Sequence, residues 1–144
     1  MAWDYISFKL KVVNYKGNDV TAEEIVLGGY KNFAEGDMDA LAKIYHPECK
    51  ITINGNHSLS GTYVGFQSFL ENVLANLDNV WPGFNLDIEK VVSNETDVCV
   101  FVKVTAENLN SKSIHHFVIK DGLEVEFNLY DDSQKMSEAM KSIN

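Results

Sequence analysis

Positive charge is what this sequence has least of. Against 21 Asp and Glu stand 12 Lys and Arg, a formal net charge of −9 over 144 residues, and nowhere do the basic residues form a cluster. A surface this acidic repels phosphate backbones and anionic lipid, so neither nucleic acid nor a membrane surface is expected as a partner. Long apolar runs are missing as well. None approaches the roughly 20 residues of a membrane span, and the opening MAWDYISFKLKVV lacks a signal peptide's apolar block and cleavage site, so the expected location is the cytoplasm. Cysteine is confined to Cys49 and Cys99, without metal-ligand spacing, and Cys99 in its apolar strand reads as a small core residue. Neither has an evident activating partner, and there is no GxSxG turn or phosphate-cradling glycine pattern, which leaves nucleophilic and nucleotide chemistry without a foothold. His46 and His57 lie in HPE and NHS, without paired-ligand spacing such as HExxH; no metal and no cofactor are expected.

What is present is 45% hydrophobic content, enough for a single domain over residues 1–144 with a real core, undivided by repeats or linkers. Its most informative stretch is 113–132, SIHHFVIKDGLEVEFNLYDD. Asp121-Gly122 between two apolar runs supplies the positive φ values of a two-residue type I′ hairpin. On the second arm Val125, Phe127 and Leu129 share one face and Glu124, Glu126 and Asn128 the other, a half-buried strand. On the first arm His115, Phe117 and Ile119 oppose Ile114, His116 and Val118. Both faces are partly apolar, so this strand is central and one of the two histidines points inward.

The remaining segments read as packing partners. Residues 4–15 alternate as an extra N-terminal strand within 1–20. Thr21 and Glu24 form a capping box for a helix carrying Ile25, Val26, Tyr30 and Phe33, in which Gly28 and Gly29 suggest a close neighbour. Asp37 caps a second helix, 38–45, ended by Pro47. A brief strand follows at 50–54, then a polar loop and a third helix over 63–77. Strands are expected at 84–92 and 97–107, and a tail or helix at 133–144. This order is α+β. The expected architecture is a cone-shaped barrel, a strongly curved antiparallel sheet covered by three N-terminal helices, as in a cystatin-like roll, with a pocket at its open end.

The runs YKNFAEGDMDALAKIYHPECKITI, LSGTYVGFQSFLENV and FVIKDGLEVEFNLYDD resemble the SnoaL-like and ketosteroid isomerase-like branch of the nuclear transport factor 2-like superfamily over about 22–132. The marks are Gly36-Asp37, His46-Pro47, Gly61-Thr62-Tyr63-x-Gly65 and the Asp-Gly hairpin, in that order. The resemblance implies a small-molecule pocket and isomerase or polyketide-cyclase-like chemistry, although the superfamily also holds plain binding and dimerisation modules. The isomerases' carboxylate base falls on Ile53, beside Asn54, so that base is missing. Their oxyanion tyrosine falls at Gly29, one residue before Tyr30, and their protonated aspartate at His115. The cyclases' final-strand aspartate is matched by Asp131 or Asp132.

His115 is therefore the leading catalytic candidate, as a base or as a donor to a developing enolate. Tyr30 and Asp131 follow, the latter as an orienter of His115 or as the base itself; His116 is expected at a dimer interface or in water. Ile53, His57, Phe69, Val73, Trp81, Phe84, Phe117, Phe127 and Leu129 are expected to contact the ligand. An outer sheet face carrying Cys99, Phe101 and His116 looks too apolar for water, so a homodimer through that face is expected. Two functions remain open: a pocket for a small, mostly apolar molecule with cofactor-free proton transfer, and a non-catalytic ligand-binding or dimerisation module.

Overall fold

The computed structural model describes residues 20–142, so the expected N-terminal strand lies outside the described residues. Helix α1 (Ala22–Ala34) starts where Thr21 Oγ1 accepts from the Glu24 amide at 3.1 Å. Glu24 turns its carboxylate to the Thr21 hydroxyl, 3.5 Å away. Of the two helix glycines only Gly29 meets a close neighbour: a Cβ there would stand 2.7 Å from Ile44 Cδ1, whereas one at Gly28 would meet open space. Asp37 caps α2 (Met38–Ala42) by accepting from the Ala40 amide.

That second helix stops short of Tyr45, which begins strand β1 (Tyr45–Ile53). Pro47, expected to end the helix, lies inside the strand where the pairing is interrupted between Tyr45 and Lys50. A residue with no amide proton is tolerated where the ladder needs none. Strand β2 (Gly61–Val64) occupies residues expected to be loop and helix, and pairs antiparallel with β1. Gly65 forces the turn that follows: its φ is +85°, and a Cβ would sit 3.0 Å from the Pro47 carbonyl. Its amide donates to the Cys49 carbonyl at 2.8 Å. Helix α3 (Phe66–Asn72) and, after a 3₁₀ turn (Leu74–Asn76), α4 (Leu77–Val80) replace the single helix expected over 63–77.

Strands β3 (Asn85–Ser93), β4 (Asp97–Ala106), β5 (Leu109–Lys120) and β6 (Leu123–Asp131) then run antiparallel in succession. At the β5–β6 turn, Asp121 has φ +53° and Gly122 φ +77°, as the I′ hairpin requires. Helix α5 (Ser133–Ala139) is capped by Asp132, which accepts from the Lys135 amide. It is fastened to the body where the Trp81 indole donates to the Met136 carbonyl at 2.9 Å.

The expectation of an antiparallel cone or barrel is overturned. Among the described residues six strands form one open sheet in the order β2-β1-β6-β5-β4-β3, with β2 and β3 as separate edges. The sheet is mixed, because β1 lies parallel to β6. Among the described residues only α1 and α2 precede it; α3 comes after β2. Alternation within a strand reports which face is buried, but carries no information on which distant strand it pairs with.

The helices cover one face. Val98, Val100, Val102 and Val104 of β4 are all at most 1% exposed, and pack with Cys49 and Ile51 of β1 and Val26 of α1 in one core. Among the described residues no helix is long and apolar enough to cross a membrane.

Candidate functional site

Between the inner sheet face and the helices lies a cavity of about 90 Å³. Of the expected contacts, Ile53 enters from β1, Phe69 from α3 and Val73 just beyond it. Trp81 and Phe84 flank the turn into β3, Phe117 projects from β5, and Phe127 and Leu129 project from β6. His57 is not part of this wall. It packs edge-on against Trp81, with ring centroids 5.9 Å apart, its Nδ1 accepts from the Leu59 amide, and Nε2 has no partner among the described residues. Burial lowers its pKa, offset in part by the charge of Asp131.

The three catalytic candidates all reach the cavity wall. His115 points inward with Phe117 and Ser113, since alternate residues of β5 are buried. Its Nδ1 lies 2.6 Å from the Tyr30 hydroxyl, and the two ring planes are within 13° of parallel with centroids 6.0 Å apart. Burial drives the imidazole pKa down to about 3. It pushes the Tyr30 phenol well up, helped by the charges of Glu124 and Asp131. A phenol that keeps its proton donates, so Nδ1 accepts and Nε2 carries the ring hydrogen.

Asp131 stands opposite Ser113 in the register, and the Ser113 hydroxyl donates to its Oδ1. Leu129 faces His115, which makes Asp131 the diagonal neighbour of the histidine on the same face. The hydrogen bond to the imidazole Nδ1 comes from Tyr30. Burial raises the Asp131 pKa, against the Ser113 hydrogen bond and the nearby His57. Its backbone is clamped by Asn54, whose side chain donates to the Asp131 carbonyl and accepts from its amide. His116 faces outward, with Nε2 2.8 Å from Asp97 Oδ1.

Two polar residues of the wall escape a reading from alternation alone, Tyr45 and Glu124. Tyr45 looked like the last residue of a helix. Glu124 was assigned to the wet face of its strand, yet it is 1% exposed. A bulge is responsible: Val118 pairs with Glu126 and Ile119 with Glu124, so Val125 has no partner and the parity of β6 reverses beside the turn. Burial holds the Glu124 carboxyl well above its ordinary pKa, opposed by a hydrogen bond from Tyr45.

Elsewhere, burial pushes the Cys49 thiol up to about 12 and raises that of Cys99, so neither is activated for attack. Among the described residues no three His, Cys, Asp or Glu side chains come together as a metal site.

This arrangement can be set against known proteins. The family model for the SnoaL-like domain matches residues 26–127. No protein of curated function matches the chain. Among solved structures, an NTF2-like protein from Burkholderia thailandensis superposes with a TM-score of 0.77 at 19% identity, covering 86% of this chain and 100% of its own. Bal32a, from a soil-derived mobile gene cassette, gives 0.75 at 19% identity, over 83% of this chain and 95% of its own. TerC, co-crystallized with polyporic acid, gives 0.71 at 22% identity, over 81% and 95%. Identities this low speak for the shared fold alone. The family match, however, spans most of the chain, and with the fold in agreement the protein belongs to the SnoaL-like domain family.

Proposed function

We propose that the cavity binds a small, mostly apolar organic molecule and moves a proton on it without a cofactor. The observation that carries this reading is the imidazole of His115, held at Nδ1 by Tyr30 in a mostly apolar cavity that also contains the desolvated carboxyl of Asp131. With a pKa near 3 the imidazole is neutral at physiological pH. It therefore acts through Nε2–H as a donor to oxygen where negative charge develops. Asp131, raised toward the range useful for a base, removes the proton from carbon. An enolisable ketone is the simplest molecule that uses both groups. TerC, of the same fold, was co-crystallized with polyporic acid, which supports an organic ligand in such a cavity.

The test is deuterium incorporation from D₂O into cyclohexanone and 1,3-cyclohexanedione, followed by NMR. Catalysed exchange that falls about 100-fold in Asp131→Asn and about 10-fold in His115→Phe is the expected result. Binding of these ketones with no catalysed exchange would instead establish the second reading, a non-catalytic binding module. Either reading needs added room, since about 90 Å³ is less than the ~150 Å³ that receives benzene. The partly exposed wall residues Leu77 and Phe84 move to admit a ring.

We also propose that two copies of the chain meet through the outer sheet face. Val92, Ile114 and Tyr130 lie there, on β3, β5 and β6, at 51%, 37% and 54% exposure.

A further inference from the structure

Glu124 makes the cavity polar at a second place. Along the inner edge of β6 the wall residues run Glu124, Phe127, Leu129, Asp131, so the two carboxyls are separated by two apolar side chains. Seven positions of strand amount to roughly 20 Å. The Tyr30–His115 pair stands between them, beside Leu129 and Phe127.

The carboxyl of Glu124 is only half satisfied. The Tyr45 hydroxyl is near enough to lower its pKa, and Oε2 faces Gly29 of α1, but among the described residues Oε1 is buried without a partner. Leaving a buried polar atom unpaired costs stability that an apolar residue of similar shape would not. Because burial keeps this group protonated, it offers both an O–H and a lone pair, a match for an uncharged oxygen function and a poor one for an anion. An unpaired, neutral acid facing a cavity lined by aromatic rings is built like a recognition group.

Resting on the reading of the cavity as a binding site, we infer that Glu124 anchors the far end of an elongated ligand by hydrogen bonding its neutral hydroxyl or carbonyl oxygen, while the reacting carbonyl lies at Asp131 and His115. The ligand class is then an uncharged molecule with an apolar, flat middle and an oxygen at each end.

The experiment compares two probes by titration calorimetry, 4-phenylcyclohexanone and 4-(4-hydroxyphenyl)cyclohexanone, which differ only in the distal hydroxyl and need the same opening of the cavity at Leu77 and Phe84. Wild-type protein should bind the hydroxylated probe about tenfold more tightly, the worth of one buried hydrogen bond. Glu124→Met should abolish that preference and raise Tm, whereas Glu124→Gln, which keeps a donor and an acceptor, should retain it. The infrared band of the protonated carboxyl, absent from Glu124→Gln, should shift when the hydroxylated probe is added and stay still with the other. Equal binding of both probes by wild type, or a preference that survives in Glu124→Met, overturns the role of Glu124 and leaves the binding cavity standing. Failure of both probes to bind wild type overturns both.

Discussion

Tyr30 and His115 stand 85 positions apart in the chain and 2.6 Å apart in the fold, a phenol donating to the only imidazole nitrogen that can accept. Tyr30→Phe should leave Nδ1 buried and unpaired, at a cost of about 1–3 kcal/mol in denaturant unfolding. Nitrogen-detected NMR should report the Nε2–H tautomer in wild type and a tautomer mixture in the variant. A wild-type spectrum with the proton on Nδ1 would reverse the direction of the hydrogen bond and remove the proposed donor.

The same imidazole sets an acid limit. Unfolded, it takes up a proton near pH 6.5; folded, only near pH 3. Between those values the unfolded chain holds the extra proton, so stability falls as pH is lowered, by about 1.4 kcal/mol per pH unit at most. His115→Phe should flatten the slope below pH 6.5 in urea titrations. Identical slopes in the two proteins would show that His115 titrates normally.

Glu124 tilts the balance the other way. Its folded pKa is raised, so above the ordinary value of 4.5 the native state keeps a proton that the unfolded chain has released. Stability then declines as pH rises through that window. Glu124→Gln has nothing to titrate and should gain on wild type steadily as pH rises above 4.5. An advantage that does not change with pH would mean that the carboxyl is ionised in the fold.

The two adjacent glycines of α1 should respond differently to alanine. Gly28→Ala meets open space and should stabilise the helix by about 0.5–1 kcal/mol. Gly29→Ala gains the same propensity but drives its methyl to 2.7 Å from Ile44 Cδ1 beside the cavity, and the side chain must yield. Thermal unfolding should show a rise in Tm for the first variant and none for the second.

If the outer face joins two copies, Ile114→Lys should yield monomer in sedimentation equilibrium, since it places charge beside Tyr130 on that face. A monomeric wild type would dismiss that interface. The centre of this face also carries the His116–Asp97 pair and Lys90 over the Phe101 ring, so it is less uniformly apolar than its composition implies.

Much of the hairpin was legible because its signals are local. Asp121-Gly122 determines the turn, and alternation places His115, Phe117 and Ile119 together. Even the bulge could have been found. A two-residue loop sets Ile119 opposite Glu124, and partners share a face, so an inward Ile119 demands an inward Glu124. Inward Phe117 and Phe127 demand the other parity, and only an inserted residue reconciles the two. Strand β2 was obscured by its shortness and by the aromatic spacing of Tyr63, Phe66 and Phe69, which imitates a helix. The Tyr45–Glu124 contact depends on β1 lying parallel to β6, which no local pattern encodes.

That parallel pair also bears on how the molecule assembles. The β5–β6 hairpin needs only neighbours in the chain, and forms on the timescale of local loop closure. Pairing Ile51 with Phe127 must instead bring together opposite halves of the polypeptide, a slow, high-separation step whose entropy is lost before its contacts are gained. The wall bearing Tyr45 and Ile53 is thus among the last parts to arrive. A folding intermediate with the β3–β6 meander formed and β1 undocked would be native-like in strand content yet have no enclosed hollow.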